Sequence, residues 1–263
     1  MHHKHTGPGA WPALHVLQLV LSLGVLQPTL LIISIVDFTR LWPDGVVPWG
    51  LRSLVSFSSM LRRTRSGVSL AWDLTLALQN VLLVQLWTGA RLSAWVKMAE
   101  GYELGEGTAA LRKRRLSTRE QLEGIVMTSA TFPFLWLVAL ALILLAGAPL
   151  ESAWGGTAAL AAYLGLLSLF PVVHIMGFPP SAAWYRVLTS DGMLSRELIV
   201  LVPAMGAWLG AWLTSGALAL DWGREWQAWP APSVYGALAG VIMGNFIALT
   251  ICLLRATAAR TSP

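Results

Sequence analysis

The chain has 263 residues, of which 56% are hydrophobic and only 12% charged. A water-soluble domain carries about 25% charged residues, so this composition and a mean hydropathy of +0.63 mark an all-α, polytopic membrane protein. The net charge of +5 is not a nucleic-acid signal, because the basic residues cluster beside apolar runs, where they set orientation. The single cysteine, Cys252, excludes an intrachain disulfide framework.

About six segments reach the roughly 20 apolar residues that a helix needs to cross a bilayer. They are expected at 12–36, 66–90, 125–147, 156–178, 198–219 and 231–254. The first contains no Asp, Glu, Lys or Arg from Trp11 to Val36 and is too long for a signal h-region. Pro28 should kink it. The second tolerates one acid, Asp73, whose place near the span entrance suggests an interfacial position. Residues 46–60 are apolar but short and carry Arg52, so they read as an interfacial piece. The polar stretch 91–124 reads as a solvated cytosolic loop that fixes topology, with contact of its RKRR run to anionic headgroups as the alternative.

With six spans, the side that holds both termini collects 12 Lys and Arg, and the other side 6. The positive-inside rule therefore puts both termini in the cytosol and the stretch LDWGREWQAWP, Leu220–Pro230, on the opposite side.

Gly206 and Gly210 in the fifth span, and Gly236, Gly240 and Gly244 in the sixth, recur at four-residue spacing. Each row lies on one helix face and lets another backbone approach closely. Two readings stand, and both can hold on opposite faces: the spans pack on each other, or a partner protein's helix docks there. In the polar stretch, Trp222, Trp226 and Trp229 suit a membrane–water boundary. Asp221, Glu225 and Gln227 beside them point to a local ion pair or to a surface for headgroups or a partner loop.

Chemistry is poorly supported. The segment Asp191–Thr214 approaches a CDP-alcohol phosphotransferase signature, but Gly210 and Thr214 stand where metal-binding aspartates are needed. His174 is the only histidine after His15 and reads as a hydrogen-bonded core residue. No catalytic residue, metal site or cofactor is expected.

The same residues resemble the PIG-F family of glycosylphosphatidylinositol (GPI) anchor biosynthesis. The likeness starts weakly at RKRRLS, 112–117, and strengthens at GAPL, with Gly147 and Pro149. It runs through AWYRV, with Trp184 and Arg186, and through Gly192. It is strongest at GAWLGA from Gly206, at Asp221–Trp222, at WQAWP from Trp226 to Pro230, and at the glycine row to Gly244. It covers about residues 110–254; the earlier residues match only as hydrophobic spans. The stretch from Ala211 to Asp221 is longer than the family pattern.

The resemblance implies a multi-pass protein of the endoplasmic reticulum membrane. It implies a non-catalytic subunit that binds and stabilises the large ethanolamine phosphate transferases of the PIG-O and PIG-G type. Those partners carry the metal-dependent domain that moves ethanolamine phosphate from phosphatidylethanolamine to mannose of the GPI precursor. Membrane lipid, phosphatidylethanolamine in particular, is a second expected partner. The rival reading is a lipid transporter or scramblase of the same pathway, for which the spans offer few polar residues beyond Asp73, Asn80 and His174.

Overall fold

The computed structural model describes residues 11–36, 70–179, 181–189, 194–220, 223 and 225–261. Among these the chain is all helix, without a β-strand. The interfacial reading of 46–60 lies outside the described residues.

Helix α1, Ala13–Ile35, is one continuous apolar rod with a π-helical turn at Val20–Leu26. Pro28 follows that turn. Its ring offers no N–H to the preceding turn and crowds the carbonyl four residues back, so the backbone widens there instead of breaking. The same device recurs in α6, Trp154–Met176, where the π-helical turn Gly165–Leu169 precedes Pro171. Helices α4, Thr118–Ala130, and α5, Phe132–Leu145, meet at a 45° bend beside Pro133. The span expected as one rod over 125–147 is thus a bent pair.

Helix α2, Leu70–Glu103, has 34 residues, and the short α3, Thr108–Arg114, follows it. Helix α7, Ala182–Thr189, links α6 to α8, Ser195–Ser215, and α9 runs Ala231–Thr261. Among the described residues, α1, α6, α8 with its 3₁₀ extension, and α9 are long and apolar enough to cross a membrane, and the α4–α5 pair qualifies if counted as one span. Helix α2 is long enough but is diluted by Asp73, Gln79, Asn80 and Gln85.

The helices alternate in direction. Trp95 Nε1 of α2 donates to the His15 carbonyl of α1 (2.9 Å), while Gln27 Nε2 reaches Gln85 Oε1 (3.3 Å) further along both. Trp136 Nε1 of α5 donates to Ala158 O of α6 (3.0 Å), and Phe132 packs on Gly165. The Tyr163 hydroxyl donates to Leu74 O (2.6 Å), fastening α6 to α2. Followed through the bundle, these pairings bring the start of α1, the end of α2, α3, the start of α4, α7 and the end of α9 to one pole. Every described Lys and Arg side chain lies on those segments, on the linker between α3 and α4 (Arg115) or in the first turn of α8 (Arg196).

Two apolar cores stack along the bundle. One surrounds Tyr163, Leu164, Val234 and Leu238; the other surrounds Trp95, Leu249 and Cys252. Between them lies a buried polar ladder, in which Asn245 Nδ2 donates to Gln27 Oε1 (3.2 Å) and Gln27 in turn to Gln85. Asp73 is 6% exposed, so it sits inside the bundle rather than at a wet interface. His174 is half-buried, with Nδ1 3.0 Å from Thr128 Oγ1 and its ring stacked on Phe170.

Candidate functional site: an apolar cleft at the pole opposite the basic residues

The seam between α8 and α9 positions everything at this pole. A Cβ added at Gly206 would overlap the Gly240 carbonyl, one at Gly210 the Gly236 carbonyl, and one at Gly240 the Gly206 carbonyl. One at Gly244 would stand 2.5 Å from Pro203 Cα. Gly206, Gly210, Gly236 and Gly240 therefore face each other, and Gly244 faces Pro203, backbone on backbone. Lipid supplies no hydrophobic drive between helices, so this close van der Waals fit holds the pair. Of the two readings open for these glycines, the geometry matches packing within the chain. Their faces are already covered and cannot accept a partner's helix. Thr214 locks the end of the seam, its Oγ1 lying 2.8 Å from both Gly210 O and Pro232 O.

Beyond the seam the polar stretch folds back on the bundle. Gln227 Nε2 donates to the carbonyls of Ala217 (3.1 Å) and Leu220 (2.7 Å), which end the 3₁₀ extension of α8. Ala217 O also accepts from Leu220 N (3.2 Å), whereas the Leu220 carbonyl is one that a helix end leaves orphaned, and satisfying it gives a role to a glutamine among tryptophans. Trp229 Nε1 donates to Thr157 Oγ1 (3.0 Å), and Thr157 Oγ1 donates to Pro149 O (2.5 Å). Trp229 and Pro230, joined by a cis peptide bond, sit over Gly156, where an added Cβ would stand 3.0 Å from both side chains. Gly147 turns the chain after α5 with φ of +95°, a value that favours glycine. Trp226 is exposed. Asp221, Trp222 and Arg224 lie outside the described residues, and so does the Glu225 side chain.

These turns enclose a cleft of about 730 Å³ between α5, α6, α8 and α9. Its walls include Leu142, Gly147, Pro149, Trp208, Trp212 and Trp229. Trp208 is anchored by its Nε1, which donates to Ser168 Oγ (2.9 Å). The GAPL, GAWLGA and WQAWP motifs, far apart in the chain, thus line one space. Ser233 also lines it, and its buried Oγ has no hydrogen-bond partner.

Trp184 and Arg186 do not reach this cleft. They lie at the basic pole, where Trp184 Nε1 donates to Gly177 O (2.8 Å). Arg186 Nη2 pairs with Glu197 (2.7 Å), as does Arg196 Nε (2.9 Å), and Glu197 is fully buried. Arg196 continues to Glu100 (3.1 Å), and Glu100 to Arg114 (3.2 Å). Arg114 also grips Glu106 with two hydrogen bonds of 2.6 and 2.5 Å, which hold that carboxyl below its ordinary range. Burial raises the Glu103 pKa, against the pull of its hydrogen bonds from Ser195. Sequence reasoning missed Glu197 and Glu100. For Glu197 the available signal was an acid in the first turn of an apolar helix, where the helix dipole favours negative charge; Glu100, near the end of α2, carried no such signal. Gly192 lies outside the described residues. Among the described residues, no three His, Cys, Asp or Glu side chains converge as a metal site would require.

The profile of the GPI biosynthesis protein family Pig-F matches residues 51–249, reaching further towards the N-terminus than the motifs over 110–254 suggest. The chain is 37% identical over 126 residues to glycosylphosphatidylinositol anchor biosynthesis protein 11 of Neurospora crassa, covering 48% of this chain and 43% of that one. Its counterpart from Pyricularia oryzae is 34% identical over 122 residues, covering 46% and 45%. A Homo sapiens protein named GPI ethanolamine phosphate transferase, stabilizing subunit, is 33% identical over 107 residues, covering 40% and 48%. The chain therefore spans about half the length of the curated relatives it matches. No solved structure matches it. With the profile spanning most of the chain, the protein belongs to the GPI biosynthesis protein family Pig-F.

Proposed function

We infer that the chain is a non-catalytic membrane subunit that binds and stabilises a GPI ethanolamine phosphate transferase. The observation that carries this reading is the convergence of the GAPL, GAWLGA and WQAWP motifs on the cleft between α5, α6, α8 and α9. Family relatives named as stabilising subunits support it. The chain crosses the endoplasmic reticulum membrane six times, with the polar-diluted α2 as the crossing that bundle contacts embed, and both termini cytosolic. The cleft then opens on the lumenal side, where a transferase of the PIG-O or PIG-G type carries its metal-dependent domain.

The docking surface is the cleft mouth and the outward face of α8. Leu209 and Trp212 stand exposed there, one turn from the glycine seam. An aromatic side chain beside an apolar cleft supplies a large contact area with little lost freedom. The seam keeps α8 rigid, so the partner meets a preformed face. Co-purification in mild detergent tests this. L209A/W212A is expected to lose the transferase while the isolated subunit keeps its unfolding temperature. Full transferase recovery with L209A/W212A refutes it.

A further inference from the structure

We propose that a second cleft, at the basic pole between α1, α2 and the start of α4, binds the phosphate-bearing headgroup of an anionic glycerophospholipid. Its volume is about 540 Å³. Arg91 enters it from α2 and Arg115 from the linker before α4. Four arginines at this pole, Arg114, Arg119, Arg186 and Arg196, each hold a carboxylate, while Arg112 on α3 does not line the cleft. Arg91 and Arg115 have no carboxylate partner among the described residues. Two guanidiniums that line one cleft without a carboxylate leave their donors for an anion. The guanidinium fork fits phosphate oxygens in pairs. Gln18 and Gln121 add polar groups to the same walls, and His15 lines the cleft with its Nε2 buried and unpartnered.

The remaining wall decides between a lipid and a free anion. Leu14, Trp95 and Met98 line the cleft on one side. Trp95 is held there by its bond to His15 O and by stacking on the His15 ring at 4.7 Å. This wall begins where the apolar span Ala13–Ile35 begins, so it continues from headgroup depth towards the acyl chains. Inorganic phosphate would use the arginines and leave the wall bare. A glycerophospholipid uses both. The site stands apart from the partner-binding cleft and does not depend on it.

The test is native mass spectrometry of the full chain in mild detergent, incubated with phosphatidylserine, phosphatidylcholine or inorganic phosphate. Phosphatidylserine should be retained in preference to phosphatidylcholine. R91Q/R115Q should lower its retention about thirtyfold, and R112Q/K113Q, which removes equal charge outside the cleft, by less than about twofold. Both cleft arginines are exposed, so the fold survives their loss. R91K/R115K, which keeps the charge without the fork, should fall between wild type and R91Q/R115Q. Equal losses in the two glutamine variants would mean diffuse surface charge and overturn the proposal. Equal retention of the two lipids, or displacement of phosphatidylserine by inorganic phosphate, would overturn it as well.

Discussion

Gly240→Ala is the most informative single substitution in the α8–α9 seam. The new methyl would overlap the Gly206 carbonyl oxygen and stand 2.5 Å from Gly206 carbonyl carbon and 3.2 Å from Ala207 N. All three neighbours are backbone, and none can rotate away. Relief requires the two helices to part by about an ångström, which weakens van der Waals contact at the four other glycines of the seam, since dispersion falls steeply with distance. Overpacking of this kind costs about 1–3 kcal/mol. Alanine recovers up to about 1 kcal/mol through its better helix propensity. The net is a loss of about 1.5 kcal/mol, or about 3 °C in unfolding temperature for a chain of this size. The assay is thermal unfolding of the purified subunit in detergent, without partner, followed by fluorescence of its 14 tryptophans. Gly155→Ala is the control, because nothing lies within 4 Å of its added Cβ. If Gly240→Ala unfolds within about 1 °C of the control, the seam is not the internal contact described above and the glycines are free for a partner.

Other consequences are open to the same instruments. Glu197→Gln leaves Arg186 and Arg196 facing a neutral group; breaking a buried pair costs about 3–5 kcal/mol, and the partial exposure of both arginines (23% and 16%) brings the expectation down to about 2 kcal/mol, read as a lower unfolding temperature. Thr157→Val cuts the relay from Trp229 to Pro149 and should cost about 1–2 kcal/mol, while blue-shifted tryptophan emission is retained only if Trp229 stays seated. The Glu106 carboxyl is held low chiefly by its hydrogen bonds from Arg114, so its contribution to the fold is present above the ordinary carboxylate value of 4.5 and is lost as pH falls through the lower folded value. Hydrogen exchange in Thr108–Arg114 should therefore quicken as pH drops below about 4.5, once the intrinsic pH dependence is divided out. Glu106→Gln should abolish that step, and an unchanged step would place its origin elsewhere.

Much of this protein was legible before any coordinates. The uncharged run Trp11–Val36, the glycine spacing and the one-sided basic residues each rest on a local quantity: apolar length, four-residue periodicity, or sign of charge. Pro28 pointed to a disturbance in α1, and its form as a π-helical turn depends on how neighbouring helices refill the missing bond. The lone acid of the second span misled: proximity to the span entrance suggested water for Asp73, yet it is buried against the bundle. Glu197 was invisible because its partners come from Arg186 on a different helix and, through Arg196, from Glu100, nearly a hundred residues away in the chain.

Periodicity tells which residues share a face of a helix. It carries no information on which surface that face meets, because contact is set by the whole bundle's packing rather than by neighbours in sequence. The amino-acid order thus determined, by itself, an apolar helical chain with a 12-to-6 bias of Lys and Arg to one side and two glycine-lined helices. Only the tertiary structure decided that those glycines close on each other, that Trp229 hangs on Thr157, and that Gly147, Trp208 and Trp229 share one cleft. Each of those facts joins segments tens of residues apart, and only close packing of backbones in a bilayer brings them together.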